Sequence, residues 1–421
     1  MKRTLFSLLL LLMSLPIVAA VPASVEVEPA APKRVISGVV LDRESRDQLR
    51  HVTIAVVGTN IGTVTNADGE FSLKLTREEM RQGIKCSFVG YESIFLDYET
   101  LAGSDYLTIR LQPLALAVDQ VTIYGGKARN LVEQAIELIP NNYSDRENLF
   151  TTFYRETVQK RRAYIAVSEA VMDLYKTKYE YRSVAHDKVR LRKGRRLINH
   201  QASDTLAVKI VGGPSLPIVM DVVKNSDELL AYDQLDFYDF ELGTPVMLDN
   251  RMQHVIHFKP RVRLQYALFS GVMHIDQERG SFSRIELELD VSDRTAASAL
   301  LVHRKPAGLR FRPLGVSFLI AYRQQGDRSY LNYVRSEFRF KCDWKRRLFS
   351  STYTALSEMV LVDREENPEV IRYRDRFRSD QIFYDEVEAY ADPYYWEDYN
   401  ILEPTESLEH AVDRLRKRVM R

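Results

Sequence analysis

Three histidines, His254, His257 and His274, are candidate metal ligands because imidazole nitrogens bind zinc and related metals. His254 and His257 are three residues apart in a predicted strand, and such a pair points to opposite faces of a sheet. Ordinary packing within the sheet is therefore favoured over a metal site.

The sequence lacks the short motifs that mark many catalytic sites. It has no Gly-x-x-x-x-Gly-Lys loop, Gly-x-Ser-x-Gly turn, His-Glu-x-x-His helix or Cys-x-x-Cys pair. None of its eight histidines is followed three residues later by Glu, as a zinc carboxypeptidase would require. We therefore predict that the protein is not an enzyme, with no catalytic residues, no cofactor-binding residues and no metal ligands.

Residues 66–70, Asn-Ala-Asp-Gly-Glu, carry oxygen atoms of the kind that bind calcium. A calcium loop has acidic ligands before a Gly at its sixth position and a Glu at its twelfth. With Gly69 in the sixth position, the loop would begin at Val64, whose side chain has no ligand oxygen. A plain hairpin turn is favoured.

The densest basic run lies between residues 188 and 196, with smaller ones at 160–162 and 345–347. Its members are Lys188, Arg190, Arg192, Lys193, Arg195 and Arg196. Anionic lipid headgroups could bind such a run. A solvated strand at the edge of a sheet, where charges prevent pairing with another sheet, is the default interpretation.

Seven aromatic side chains crowd among acidic residues between positions 380 and 404. They are Phe383, Tyr384, Tyr390, Tyr394, Tyr395, Trp396 and Tyr399. They could form a platform for a sugar, but the favoured interpretation is that they hold an irregular C-terminal segment on the sheet.

The length and overall composition limit the classes of protein to which the chain could belong. A chain of 421 residues is long enough for two or three domains. Lys and Arg total 59 against 58 Asp and Glu, a balance that argues against a nucleic-acid partner. The 23 tyrosines favour a β-rich fold, because tyrosine suits half-buried sheet surfaces.

The N-terminus has the pattern of a signal peptide over residues 1–20. Lys2 and Arg3 precede an apolar run that ends at the small residues Ala19 and Ala20. A retained anchor would need about 20 apolar residues, more than this run has. Residues 21–33 read as an extended tether. We expect an exported protein of the periplasm or the periplasmic face of the outer membrane, with no transmembrane span in the mature chain.

The elements that would position these side chains are mostly strands. Residues 34–113 alternate strands and turns at the spacing of a β-sandwich, and residues 58–71 are its clearest hairpin. Residues 114–148 predict a linker strand and an amphipathic helix, and residues 149–421 a β-rich domain with a terminal helix. The two cysteines, Cys86 and Cys342, fall in different predicted domains, so we expect each to be buried singly.

The C-terminal strands are predicted from alternating apolar and polar residues. They are expected near residues 163–175, 218–223, 254–258, 268–275, 285–291, 316–322, 331–340 and 351–362.

The motifs at residues 36–40, 58–71 and 87–92 resemble the carboxypeptidase-regulatory-like β-sandwich of Bacteroidetes envelope proteins. The resemblance implies an accessory sandwich without catalytic residues. Where that family usually has Pro-Leu-Pro-Gly, this chain has Gln48-Leu49-Arg50-His51, which weakens the expected turn. Residues 114–126 resemble the strand that leads into the plug of TonB-dependent transporters, but the chain that follows is too short for such a barrel.

Two further resemblances concern the C-terminal half. Residues 150–156, 331–337 and 398–404 are similar to an uncharacterised region that follows this sandwich in many Bacteroidetes proteins. Residues 253–260 and 271–276 resemble the sheet of periplasmic lipoprotein-sorting carriers, which implies a curved half-barrel whose concave face could shelter an acyl chain.

The sequence thus predicts a mainly β protein: an N-terminal Ig-like or transthyretin-like β-sandwich, then a larger antiparallel sheet that could form a half-barrel, with a few helices. The expected function is non-enzymatic: a docking sandwich plus a C-terminal domain that binds an apolar or polymeric ligand in the cell envelope. The alternative is an interaction or assembly module for outer-membrane transporters or surface-glycan machinery. Candidate partners are outer-membrane or periplasmic proteins, lipid or glycan.

Overall fold

A computed structural model describes residues 31–114, 125–198, 213–301, 309–344, 350–392, 396 and 399–419. The predicted signal peptide, nearly all of the predicted tether and the linker strand lie outside these residues. Within the described part of the chain, no helix is long and apolar enough to cross a membrane.

The N-terminal sandwich consists of two small sheets. The first contains, in spatial order, β4 (Glu70–Leu75), β1 (Arg34–Asp42) and β7 (Tyr106–Leu111). The second contains β3 (Gly62–Val64), β2 (Thr53–Val56), β5 (Ile84–Ser87) and β6 (Ile94–Leu96). All neighbouring strands are antiparallel except β1 and β7.

The sandwich core forms because alternate residues of its strands point inward. Ile36 and Val40 of β1 meet Phe71 and Leu73 of β4 in one buried cluster. Gly38 allows β7 to approach closely, since a Cβ atom there would lie 2.3 Å from the carbonyl oxygen of Leu107.

Two short helices connect strands of the sandwich. They are α1 (Arg77–Arg81) and α2 (Tyr98–Gly103). Thr76 caps α1, and Glu79 bonds back to the Thr76 backbone in a capping box. Asp97 caps α2 by accepting from the backbone N–H of Thr100.

The larger part of the chain forms an antiparallel sheet of eleven strands that is not closed into a barrel. Its strands are β8 (Asn148–Lys160), β9 (Ala163–Lys176), β10 (Lys188–Ile198), β11 (Tyr238–Leu242), β12 (Val246–Leu248), β13 (Arg251–Pro260), β14 (Phe269–Asp276), β15 (Phe282–Leu289), β16 (Leu309–Gln325), β17 (Arg328–Trp344) and β18 (Ser351–Glu366). The spatial order is β10-β9-β8-β18-β17-β16-β15-β14-β13-β11, with β12 also paired to β13. The predicted mainly β class is confirmed.

Eight further α-helices occur among the described residues. They are α3 (Gly125–Glu137), α4 (Ile139–Asn142), α5 (Ser215–Val219), α6 (Ser226–Leu229), α7 (Tyr232–Leu235), α8 (Arg294–Leu301), α9 (Phe383–Glu386) and α10 (Glu406–Val419). Short 3₁₀ helices occupy Tyr179–Tyr181, Tyr373–Asp375 and Val387–Tyr390. The amphipathic helix after the linker and the terminal helix are present as predicted.

The predicted strand at residues 218–223 is wrong. Ile218 lies within α5, and a turn follows that helix. A short apolar run such as this one does not distinguish a buried strand from a buried helical turn by its periodicity.

One face of the large sheet, termed the inner face, is filled by protein side chains. Tyr154, Met172, Ile285 and Met359 from its strands pack against Val132 of α3 and the segment 215–235 in one extensive core. This packing occupies the middle of the face on which an acyl chain was expected to lie. A ligand of that kind is therefore left with space only toward the ends of the sheet.

The opposite face, termed the outer face, carries the sandwich. Val64 at the end of β3 packs among Phe153, Tyr333 and Val360 in a shared apolar cluster. Thr63 Oγ1 donates to the carbonyl oxygen of Ile401 at 3.2 Å. The predicted hairpin at residues 58–71 thus belongs to the core of the sandwich and also attaches it to the large sheet.

Both cysteines are free and buried. Burial raises the pKa of the Cys86 thiol to about 12 and that of Cys342 to about 11. The expectation that the two cysteines are buried separately is confirmed.

Candidate functional site

The three candidate histidines lie on neighbouring strands without forming a ligand cluster. His254 and His257 belong to β13, and His274 belongs to β14. Burial lowers the pKa of His274 to about 4, with a further contribution from the charge of Arg284. Among the described residues, no group of three or more His, Cys, Asp or Glu side chains could hold a metal ion.

The side-chain oxygen atoms of Asn66, Asp68 and Glu70 accept hydrogen bonds from the protein itself. Asn66 Oδ1 accepts the backbone N–H groups of Asp68 and Glu70, each at 2.9 Å. Gly69 has φ +72°, a conformation that glycine adopts without strain. The geometry is that of the hairpin turn favoured above.

The basic run occupies β10, which lies at the edge of the large sheet as favoured, but most of its charges are paired within the protein. Arg190 and Arg192 pair with Asp173 at 2.5 and 2.6 Å. Arg196 pairs with Glu388 at 2.9 Å, and its guanidinium lies 4.6 Å from the Tyr384 ring centre. Asp173 belongs to the neighbouring strand β9, whereas Tyr384 and Glu388 belong to the distant C-terminal segment. The spacing of the basic residues in the sequence does not show these contacts.

The aromatic residues near the C-terminus hold their segment on the sheet, as favoured. Phe383 packs edge-on against Tyr154 on the inner face with ring centres 5.0 Å apart. Trp396 packs edge-on against Phe153 on the outer face at 5.3 Å. Tyr394 and Tyr395 lie outside the described residues.

A cavity of about 670 Å³, termed the end cleft, lies at one end of the large sheet. Residues 260–268, between β13 and β14, form one wall. Residues 290–296, which follow β15 and begin α8, form the other. A hydrogen bond of 2.9 Å from the Asp290 N–H to the Leu268 carbonyl joins the two walls.

The lining of the end cleft combines apolar and polar side chains. Leu268 and Ala296 belong to the inner-face core, and Val262 and Leu264 pack against that core while remaining partly accessible. Tyr266 is 47% exposed. An apolar group that enters the cleft would extend the protein's own core, so its burial would be favourable.

Charged side chains of both signs surround the end cleft. Asp293 Oδ1 accepts backbone N–H groups of Thr295 and Ala296 and thereby caps α8. Hydrogen bonds from Ser292, together with the charge of Arg263, lower the pKa of Asp290. The lining also includes Arg294. The arrangement suits a molecule with an apolar body and a polar head.

The sequence carries no clear signal of the residues that line the end cleft. Charged and apolar residues alternate from Arg261 to Leu264, which indicates that one side of this segment is apolar. It falls between strands, however, where alternation alone does not show that a cavity lies beside it.

A buried carboxyl group lies under the centre of the inner face. Glu156 is 5% exposed and accepts a hydrogen bond from the Tyr154 hydroxyl at 2.5 Å. Burial raises its pKa from 4.5 to about 7, although hydrogen bonds from Tyr154 and the Gly213 backbone act in the opposite direction. Its protonation therefore changes close to neutral pH.

We expect the protein to lose stability as pH rises from about 4.5 to about 7, because folded Glu156 retains a proton that the unfolded chain has released. The loss attributable to this residue should be about 3 kcal/mol and should be complete above the folded pKa. Urea unfolding across this pH range measures it. Glu156→Gln should abolish this part of the pH dependence, whereas Glu99→Gln at an exposed site should not. The prediction would be contradicted if the free energy of unfolding changed with pH in the same way in the wild type and in Glu156→Gln.

Comparison with known proteins identifies the N-terminal part. Residues 36–123 match the family model of the CarboxypepD_reg-like domain, in agreement with the resemblance of the sandwich. No curated protein matches the sequence.

Three solved structures are similar at low identity. A DUF1329 family protein from Desulfovibrio piger has 10% identity and a TM-score of 0.24 over 59% of this chain and 95% of its own. The MucA/MucB complex of Pseudomonas aeruginosa matches with 13% identity and a TM-score of 0.16, over 58% of this chain and 100% of the matched chain. A LolA superfamily protein from Nitrosomonas europaea matches with 10% identity and a TM-score of 0.19 over 56% and 94%. Likenesses this distant carry no functional conclusion.

Proposed function

We propose that the protein is a non-enzymatic binding protein of the cell envelope whose end cleft holds an amphiphile. The observation that carries this proposal is the open cleft of about 670 Å³, whose lining combines apolar side chains such as Val262 and Leu264 with charged residues. Ligand sites in proteins commonly have volumes of about 300–1,000 Å³ and combine an apolar lining with a few polar groups. The pattern of residues 1–20 supports a location in the periplasm or at the periplasmic face of the outer membrane.

The filled inner face limits how such a ligand would bind. Because side chains occupy the middle of that face, the apolar body of the ligand would lie against Val262 and Leu264 at the end of the sheet. Its polar head would lie among Arg263, Arg294 and Asp290 at the rim. In this arrangement the CarboxypepD_reg-like domain stays attached to the outer face, away from the ligand.

The test is solvent extraction of the purified mature protein, followed by mass spectrometry and by titration of the stripped protein with a dansylated fatty acid. We expect copurified amphiphile in the wild type and saturable dansyl fluorescence on refilling. Leu264→Asp should weaken fatty-acid binding about tenfold or more, because it places a charge against the apolar body.

Leu314→Asp is the matched control, since Leu314 is 42% exposed on β16 and does not line the end cleft. It should bind the dansylated fatty acid as the wild type does. Absence of copurified amphiphile together with absence of saturable binding would overturn the proposal. Equal weakening by both substitutions would show that binding does not depend on the end cleft.

A further inference from the structure

A row of charged side chains crosses the outer face of the large sheet in cross-strand register. From β17 to β10 it alternates in sign, in the order Arg335, Glu358, Arg155, Glu169 and Arg195. Arg155 and Arg335 come from two of the motifs noted in the sequence, at residues 150–156 and 331–337. The fold therefore brings these distant motifs onto one line.

The C-terminal segment covers one half of this row. Arg155 Nε donates to Glu169 Oε1 at 2.6 Å, and its Nη2 donates to the carbonyl oxygen of Leu402 at 2.8 Å. Leu402 belongs to the third motif, at residues 398–404. The charged groups of this half are bonded within the protein.

A turn of the sandwich, Arg50–His51, lies over the other half. The His51 ring lies against Tyr333 with ring centres 5.5 Å apart and the planes tilted by 32°, and the Tyr333 hydroxyl donates to Glu358 Oε1 at 2.7 Å. His51 has φ +61°, an uncommon conformation for a residue with a side chain. Non-glycine residues in such conformations are concentrated at ligand sites and switch regions.

Two cavities flank this turn, with volumes of about 410 and about 80 Å³. Arg50, His51 and Arg335 line both of them, so the two are parts of one groove between the sandwich and the sheet. We term it the junction groove. Clefts between domains are preferred positions for ligand binding.

The charges in the larger part of the junction groove balance one another. Arg284 pairs with Glu286 at 2.7 Å, and Arg335 pairs with Glu337 at 2.6 Å. Val272, which is partly exposed, adds an apolar surface beside Glu286. The groove therefore presents neighbouring hydrogen-bond donors and acceptors without an excess of either charge.

We propose that the junction groove binds a neutral oligosaccharide. Each sugar hydroxyl both donates and accepts hydrogen bonds, so vicinal hydroxyls can bridge an arginine and its neighbouring glutamate. The C–H face of a sugar ring can pack on Val272. A free anion would have to compete with Glu286 and Glu337 for their arginines, which disfavours phosphate or carboxylate ligands. This site and its ligand are independent of the end cleft.

The test is isothermal titration calorimetry of the mature full chain with neutral hexasaccharides of glucose, mannose, galactose and xylose, and with inorganic phosphate. We expect at least one hexasaccharide to bind with an affinity that changes little between low and high salt, because the ligand is uncharged. Arg50→Ala and Glu288→Gln, both at exposed groove residues, should each weaken that binding about tenfold.

Arg110→Ala removes an exposed arginine of β7 outside the groove and should leave hexasaccharide binding unchanged. Leu264→Asp in the end cleft should also leave it unchanged, which separates the two sites. Binding of phosphate but of no hexasaccharide, binding that collapses in high salt, or no binding across the panel would overturn the proposal. Unaltered hexasaccharide binding by Arg50→Ala and Glu288→Gln would also overturn it.

Discussion

Replacing Glu169 with alanine is expected to lower the free energy of unfolding by about 3–5 kcal/mol. Glu169 is fully buried and accepts from Arg155 Nε at 2.6 Å and from Arg195. Burial alone would raise the pKa of this carboxyl, but the two guanidinium groups reverse the shift and lower it. Without the carboxylate, Arg155 remains buried as an uncompensated charge. Urea unfolding followed by circular dichroism measures the loss.

An exposed ion pair provides the control for Glu169→Ala. Arg378 pairs with Asp380 at 2.9 Å at the surface, and Arg378→Ala should lower the free energy of unfolding far less than Glu169→Ala does, because water screens this pair. Replacing Arg155 and Glu169 together with methionine and leucine should recover much of the loss, because no buried charge of the pair is then left alone. A loss for Glu169→Ala as small as that for Arg378→Ala would contradict the burial of this pair.

The sandwich could be predicted from sequence because its signals are local. Strand β4, at Glu70–Leu75, continues the predicted hairpin, since Phe71, Leu73 and Leu75 alternate with polar residues directly after the Gly69 turn. The departure at residues 48–51 was interpreted only as a weaker turn. In the structure His51 adopts the left-handed conformation there and contacts Tyr333 of the large sheet.

The two proposed sites could not be predicted from sequence, because they depend on which strands become neighbours. Alternation shows that Arg155 and Thr157 share a face of β8, but it does not show that β18 pairs with that strand. Strand β18 comes roughly 200 residues after β8 in the chain, after nine other strands of the sheet. Arg50 likewise reaches the outer face only because β3 attaches the sandwich there.

Replacing Asp221 with alanine is the second change expected to cost about 3–5 kcal/mol. Asp221 lies in the segment wrongly predicted as a strand, and its carboxylate is fully buried. Oδ2 pairs with Lys176 Nζ at 2.8 Å and accepts from the Tyr179 hydroxyl at 2.8 Å, while Oδ1 accepts from the Tyr322 hydroxyl at 2.7 Å. Chemical unfolding monitored by tyrosine fluorescence measures the loss.

Asp221→Asn separates the two contributions of this carboxylate. The amide oxygen can still accept from one tyrosine hydroxyl, but the negative charge beside Lys176 is lost, leaving Asp187 at 3.2 Å as its carboxylate partner. We expect Asp221→Asn to destabilise the protein less than Asp221→Ala, because alanine also leaves buried hydroxyls without an acceptor. If both variants lost the same free energy of unfolding, the whole effect would come from the ion pair between Asp221 and Lys176. A loss below about 1 kcal/mol for both would contradict the buried network itself.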